Sequence, residues 1–255
     1  MDISALLLVC PLVFLGGFVD AIAGGGGLIA LPAYLIAGLP PHLAIGTNKL
    51  SSTLGMAVST WKLARSGFVD WSLAPSPALA AFLGSTGGAL LALSLPAEIF
   101  KIILLVLLPV VACIVLRSKK TDAPACSMKR SRRMLILGAC ALTCGAYDGF
   151  YGPGAGTFLL ISFTAFAGLD VRSAAGQMKV ANLACGLAAL ATFAAAGEVD
   201  WMLGLVAGMF GIAGHYIGAS LVVKNGAKVV RPIIVCVLCL LFVKTLWVYL
   251  GPTAA

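Results

Sequence analysis

The chain has 255 residues, of which 61% are hydrophobic and only 10% charged, and its mean hydropathy is +1.07. A soluble domain is about 45–50% apolar and about 25% charged, so this composition excludes a soluble enzyme, a nucleic-acid-binding protein and a secreted disulfide scaffold. The apolar runs are continuous over roughly 20 residues, the length of a membrane-spanning helix, and lack the period-two alternation of an outer-membrane barrel. The sequence therefore predicts an all-α polytopic membrane protein whose surroundings are the lipid bilayer.

The net charge of +8 comes from 17 lysines and arginines against 9 acidic residues. In a membrane protein such an excess marks cytoplasmic loops rather than a nucleic-acid surface. Seven of the 17 basic residues lie between Arg117 and Arg133, which predicts a basic cytoplasmic linker over residues 118–133.

The first apolar stretch, residues 3–38, is too long for one membrane span. A straight helix of 35 residues would be about 52 Å long, against roughly 30 Å of hydrocarbon. The glycine run Gly24–Gly27 interrupts it, so we expect the chain to turn back there as a helical hairpin. Three ordinary spans are predicted to follow, near residues 43–63, 73–95 and 98–117.

The second half of the chain repeats the first. Asp148 to Gly154 aligns with Asp20 to Gly26 at an offset of 128, and Gly176 to Lys179 aligns with Gly46 to Lys49 at an offset of 130. The sequence thus divides into a first repeat (1–117), the linker and a second repeat (134–255). The second repeat is predicted to contain a broken stretch at 134–168 and spans near 173–196, 201–223 and 230–250.

A hairpin that returns to its starting side, followed by three spans, crosses the membrane an odd number of times. The two halves are therefore expected to be inverted repeats, with both termini outside. This arrangement places 13 of the 17 basic residues on the cytoplasmic side, in accord with the positive-inside tendency. Simple hydropathy gives the alternative of eight spans and parallel halves.

Paired, glycine-broken helices in inverted repeats are typical of secondary transporters, whose substrate site lies where the breaks meet. Each break begins a new helix, and a helix N-terminus attracts anions. The candidate substrate-binding glycines are Gly24, Gly25, Gly26, Gly27, Gly152 and Gly154. The alternative is that these glycines only permit close helix packing.

Two lysines lie inside apolar spans, where a charge is costly. Lys49 and Lys179 occupy equivalent positions, and Ser52 and Asn182 lie on the same helical faces three residues later. Together with nearby polar side chains, these lysines would hold a small anion. The further candidates for that role are Thr47, Asn48 and Gln177. The alternative is that the lysines snorkel towards the membrane surface.

Asp20 and Asp148 precede the two breaks by four residues. Each aspartate either pairs with a lysine or accepts a proton during transport, and His215 is a candidate for either proton binding or packing. Asp70 and Asp200 precede Trp71 and Trp201, so we interpret them as helix-start residues beside aromatic anchors. We expect no cofactor or metal, and the C-x-x-C of Cys236 and Cys239 is interpreted as packing.

No hydrolase or ATP-binding motif is present, which indicates that the protein is not an enzyme.

The motif from Gly17 to Gly27 with Gly46-Thr-Asn-Lys49, and its second copy, resembles the TauE/SafE family of sulfite and organosulfonate exporters over essentially the whole chain. The resemblance implies a bacterial multi-pass inner-membrane protein that exports a small sulfur-containing anion, coupled to protons. A passive anion channel, a non-transporting membrane partner of an enzyme and a homo-oligomer stay open.

Overall fold

The computed structural model describes residues 3–100, 102–103, 106 and 128–225. In these residues the chain forms eight helices with fixed bounds. They are α1 (Ile3–Ala23), α2 (Gly27–Ile36), α3 (Pro41–Arg65), α4 (Pro75–Ser94), α5 (Arg130–Phe150), α6 (Ala155–Ala165), α7 (Val171–Ala195) and α8 (Trp201–Asn225).

The helices lie where the spans were predicted, within a few residues at each end. One difference is that α5 begins at Arg130, so the last residues assigned to the linker belong to a helix. Arginines tolerate this position because they lie in the first turn, outside the apolar part. Residues 97–100, 102–103 and 106 are helical. The rest of the predicted span 98–117, linker residues 118–127 and the span 230–250 with the C-x-x-C pair lie outside the described residues.

Both predicted breaks are present, and each returns the chain along the preceding helix. A Cβ added at Gly16 of α1 would contact Ala30 of α2 at 3.3 Å, so α2 packs back against α1. In the second half, the Tyr147 ring of α5 contacts Phe158 of α6 with 5.5 Å between centroids. Gly24 turns the first hairpin with a φ of +76°, which favours glycine because it has no Cβ.

The two halves interlock, because the first helix of each half packs against the fourth helix of the other half. Glycines permit these close contacts: Gly214 of α8 lies against the backbone of Phe14 in α1, and Gly88 of α4 lies against that of Ala146 in α5. Small residues allow helix backbones to approach in membrane proteins. The fold is therefore one bundle rather than two separate units.

Contacts between helices also fix their directions. Leu50 and Leu54 of α3 lie against Gly204 and Gly208 of α8, so these helices run parallel, and α1 runs with them. In contrast, α3 and α7 run in opposite directions. The first turns of α3 and α7 lie beside the residues that follow the other helix, as Gly46 with Glu198 and Gly176 with Phe68 show.

The surface of the bundle suits a lipid environment. Among the described residues, four helices are long and apolar enough to cross a membrane, namely α1, α4, α7 and α8. The helices α2 and α6 are shorter, at 10 and 11 residues. Large apolar side chains point outward along the bundle, such as Leu79, Leu135 and Met202. The chain is thus a multi-pass helical membrane protein.

Charge is unevenly distributed between the two ends of the bundle. At one end, hydrogen bonds connect Arg130 to Ser72 and Arg172 to Ser66. This end, here called the basic end, carries all the described lysines and arginines except Lys49 and Lys179. Those residues are Lys62, Arg65, Lys129, Arg130, Arg132, Arg133, Arg172 and Lys224. The opposite end, where α1, α3 and α8 begin, carries Glu98, Glu198 and Asp200.

Candidate functional site

The two glycine breaks meet inside the bundle. A Cβ added at Gly24 would lie 2.5 Å from the carbonyl carbon of Gly156, and one added at Gly27 would lie 3.2 Å from Pro153 Cα. Gly152 and Gly154 have φ values of +97° and +85°, so the second break also depends on glycine. The residues around this contact form the candidate site.

Lys49 crosses from the first half to the second. Its Nζ donates to Asp148 Oδ2 and to the Asp148 carbonyl oxygen, both at 2.7 Å, and only 4% of Lys49 is exposed. The carbonyl belongs to the last turn of α5, where the helix dipole favours a cation. Lys49 is therefore paired inside the bundle rather than snorkelling to the surface.

Lys179 makes the corresponding contact in the other direction. Its Nζ donates to Asp20 Oδ2 at 2.9 Å and also to the Asp20 carbonyl oxygen at the end of α1. Lys179 is fully buried. Asp20 Oδ1 in turn accepts from the Gly26 N–H at 3.3 Å, so this carboxylate satisfies one of the N–H groups that begin α2. Each half thus contributes one lysine and one aspartate to two cross-half ion pairs.

His215 of α8 lies beside the Asp20–Lys179 pair. Its Nε2 is 3.9 Å from Asp20 Oδ2, and its Nδ1 is 3.1 Å from Ser59 Oγ. The ring is buried against Gly17 and Gly55. From the sequence, His215 is a candidate for either proton binding or packing. In the structure it has a hydrogen-bond partner and a carboxylate neighbour.

A cavity of about 20 Å³ lies next to Asp20 and His215. Because a single water needs about 10–15 Å³, the cavity is closed to any larger ligand in this conformation. Asn48 and Ser52 line it together with Asp20 and His215. The buried Asn48 Oδ1 has no hydrogen-bond partner among the described residues, while Ser52 Oγ donates to the Lys49 carbonyl at 3.3 Å. The free hydrogen-bonding capacity at Asn48 is therefore that of an acceptor.

Two candidate residues make their contacts away from the breaks. Thr47 Oγ1 accepts from the Asp200 N–H at 3.0 Å, and its counterpart Gln177 donates from Nε2 to the Asp70 carbonyl at 2.6 Å. Both residues hold the loop that precedes a helix of the opposite half. Asn182 is buried on α7, one turn beyond Lys179.

The basic end contains a second cavity, of about 130 Å³, between Asp70, Arg133, Asp170 and Gln177. Hydrogen bonding to Ser72 lowers the pKa of Asp70. Burial alone would raise the pKa of Asp170, but hydrogen bonds from Ser173 and nearby backbone N–H groups lower it. Asp170 caps α7 through these bonds, and the Asp-x-x-Ser pattern of residues 170–173 is the sequence signal of that cap.

The chain is similar to known membrane proteins over most of its length. Residues 9–245 match the family described as "Sulfite exporter TauE/SafE". The chain is 35% identical to "Probable membrane transporter protein ORF9" of Sinorhizobium sp., covering 91% of this chain and 89% of that protein. It is 33% identical to "Probable membrane transporter protein YfcA" of Escherichia coli (strain K12), covering 96% of this chain and 93% of that protein. No solved structure matches the chain.

Proposed function

The chain belongs to the TauE/SafE sulfite exporter family, a family of membrane transporters rather than enzymes, and we propose that it is a proton-coupled secondary transporter. Its substrate is a small sulfur-containing anion such as sulfite or an organosulfonate, and its direction is outward. The observation that carries the proposal is the pair of buried cross-half contacts, Lys49 with Asp148 and Lys179 with Asp20. Charges buried in a membrane protein are costly, so their presence where two broken helices meet indicates that they serve a function.

The two halves are inverted repeats in this proposal. Its support is the opposite direction of α3 and α7, which are equivalent helices at an offset of 130. Repeats related by an axis along the membrane normal would have parallel equivalent helices, whereas an axis in the membrane plane reverses them. In addition, α1 and α3 run in the same direction, as expected if the α1–α2 hairpin returns the chain to its starting side.

The protein lies in a bacterial inner membrane in this proposal, with the basic end facing the cytoplasm. The support is the concentration of lysines and arginines at that end, which the positive-inside tendency places in the cytoplasm. Exposed Trp71 and Trp201 lie at opposite ends of the bundle, as aromatic anchors at the two membrane surfaces would.

The anion binds where the breaks meet, between Lys49 and Lys179. In the conformation described here, both ammonium groups are held by carboxylates, so the site is closed. When a lysine leaves its aspartate, its charge becomes available to the anion, and nearby Asn48 and Ser52 add hydrogen-bonding groups. Low dielectric surroundings strengthen such a contact. Rocking of the interlocked halves then exposes the site to each side in turn.

Thermal stability of the purified protein in detergent tests the binding step. Sulfite, sulfoacetate, sulfate and acetate would each be added at increasing concentration, because a ligand that binds only the folded state raises the melting temperature. We expect one sulfur anion to stabilise the protein selectively, and Lys179→Ala to abolish that shift. Lys62→Ala is the matched control, since Lys62 lies at the basic end and contacts Ser220.

Retention of the full shift in both Lys49→Ala and Lys179→Ala would show that the anion binds elsewhere. A passive channel is the competing function, and the closed breaks argue against a continuous pore in this conformation. The two are separated by flux driven by a pH gradient, because only a coupled carrier concentrates its anion against the electrochemical gradient of that anion.

A further inference from the structure

The two cross-half ion pairs have different surroundings. The offset of 130 places Ser85 of α4 where the second half has His215. Ser85 Oγ donates to the Cys185 carbonyl at 2.8 Å, whereas His215 Nε2 faces Asp20 Oδ2. The chain has two histidines, and the other, His42, bonds the Ala92 carbonyl at the opposite end. One of the two pairs therefore has beside it a histidine, a side chain that binds and releases a proton.

The hydrogen bonds around His215 define which ring nitrogen is free. Ser59 Oγ donates to the Met56 carbonyl at 3.1 Å, and a hydroxyl has only one proton to donate. Ser59 Oγ must therefore accept its second bond from His215 Nδ1–H. In the neutral ring, this assignment leaves the lone pair on Nε2, the nitrogen that faces Asp20, and His215 is one of the residues that line the small cavity.

We propose that His215 is the proton-binding residue of the transport cycle and that its protonated ring replaces Lys179 as the partner of Asp20. A proton from water binds the Nε2 lone pair, and the new N–H donates to Asp20 Oδ2. Lys179 is then free to bind the anion. The inference rests on the proposed function, in which Lys179 is an anion ligand.

Charge balance inside the bundle supports this exchange. The closed Asp20–Lys179 pair is neutral, so a monovalent anion such as an alkanesulfonate entering alone would leave one uncompensated buried charge, which is strongly unfavourable. A proton on His215 compensates it. Binding of the proton and binding of the anion therefore reinforce each other, and this coupling is reciprocal.

The groups that face His215 come from several helices. In the described part of the chain, the charged neighbours are Asp20 on α1 and Lys179 on α7. Helix α3 contributes the Ser59 hydroxyl and Gly55, and α2 contributes the Gly26 N–H bound to Asp20. Asp20 thus lies between two cations that compete for its carboxylate.

In this scheme the proton and the anion occupy the site together, so they cross the membrane in the same direction. With a divalent anion, the loaded site still carries one more negative charge than the closed site. An inside-negative membrane potential then favours outward movement, whereas an inward proton gradient opposes it, so export in this scheme is driven by the membrane potential.

The test measures anion binding at several pH values in detergent. Methanesulfonate is the probe, because it stays fully ionised, whereas sulfite itself binds a proton near neutral pH. In the wild-type protein we expect the affinity to fall about tenfold per pH unit above the titration of His215, as linkage to one proton requires. A pH-indicator dye in weak buffer should also register proton uptake when methanesulfonate is added.

The decisive variant is His215→Asn, whose amide nitrogen keeps the bond to Ser59 but cannot take up the proton. We expect it to bind weakly, with the affinity that the wild type approaches at high pH, and to show no pH dependence and no proton uptake. Ser85→Ala, at the equivalent position of the first half, should behave as the wild type. Binding by His215→Asn with unchanged pH dependence would overturn the inference and leave the proposed function standing. Absence of anion binding to the wild-type protein, with sulfite and sulfoacetate as well, would overturn both.

Should His215→Asn fail to fold, His215→Gln supplies the same comparison, because its amide also lacks a titratable nitrogen. Proton release instead of proton uptake on anion binding by the wild-type protein would contradict the proposed sign of coupling.

Discussion

Lys49 on α3 and Asp148 on α5 form an ion pair of 2.7 Å that joins the first half of the chain to the second inside the bundle. The Asp20–Lys179 pair repeats the contact with the roles of the halves exchanged. A relative movement of the halves that separates either contact therefore releases a lysine from its carboxylate. In the proposed function, the same two contacts hold the closed state together and keep the two ammonium groups from the anion.

Removing one partner of an ion pair should be costly. Asp148→Asn leaves the buried Lys49 ammonium without its carboxylate, and breaking a buried pair in this way costs about 3–5 kcal/mol. We expect a clear fall in the melting temperature in detergent. The double variant Lys49→Met with Asp148→Asn should recover part of the loss, because no unpaired charge remains. Equal melting temperatures for Asp148→Asn and the wild type would contradict the buried pair.

Neighbouring glycines on α4 provide a matched test of the contact between halves. A Cβ at Gly88 would lie 1.9 Å from the Ala146 carbonyl oxygen, whereas one at Gly87 meets nothing within 4 Å. Gly88→Ala should destabilise the protein by about 1–3 kcal/mol through overpacking, measured as thermal unfolding. Gly87→Ala should be neutral or stabilising, since alanine is the better helix former. Similar effects of both variants would place α4 and α5 further apart than described.

Equivalent positions in the two halves test the inverted repeat. Ser66 and Ala196 follow α3 and α7 directly and correspond at an offset of 130. A cysteine at position 66 should react with a membrane-impermeant maleimide only when the cytoplasmic face is opened. A cysteine at position 196 should react in intact cells. Labelling of both from the same side would indicate parallel halves. The unmodified protein serves as the control for native cysteines.

The Asp170 cap of α7 should contribute to stability in a pH-dependent way. Asp170 accepts from the backbone N–H groups of Arg172 and Ser173, and its Ala variant should lose about 1 kcal/mol. Because folding lowers the pKa of Asp170, its contribution is complete above the ordinary pKa of aspartate. The contribution is lost as the pH falls through the lowered value. Asp170→Asn should keep a cap, without that dependence. Equal unfolding of Asp170→Ala and the wild type at neutral pH would contradict the cap.

Much of the fold follows from the sequence, because lipid imposes strict demands on it. An apolar stretch of about 35 residues is too long to cross the bilayer as one straight helix. The glycine runs near Gly24 and Gly152 are therefore the expected breaks. The repeat offsets of 128 and 130 likewise identified the equivalent lysines. The partners of those lysines were harder to predict, since a sequence does not say whether Asp20 lies nearer to Lys49 or to Lys179.

Only part of the candidate site could be predicted from the sequence, because contacts between distant segments cannot be read from local patterns. Thr47 and Gln177 flank the lysines in sequence, yet their helical faces turn them towards the loops before α8 and α4. The placement of His215 beside Asp20 depends on the packing of α8 against α1, which arises between distant segments. Local patterns specify the elements, whereas contacts between halves specify the site.

Uphill transport in proteoliposomes tests the central claim most directly. Vesicles containing the purified protein would be loaded with unlabelled sulfite and diluted into a trace of radiolabelled sulfite at fixed pH, with equal potassium on both sides and a potassium ionophore that holds the membrane potential at zero. We expect the wild-type protein to accumulate label transiently above its outside concentration and Lys179→Ala to accumulate none, while Lys62→Ala behaves as the wild type. Equilibration without accumulation would indicate a channel, and accumulation by Lys179→Ala at the wild-type rate would contradict the proposed site.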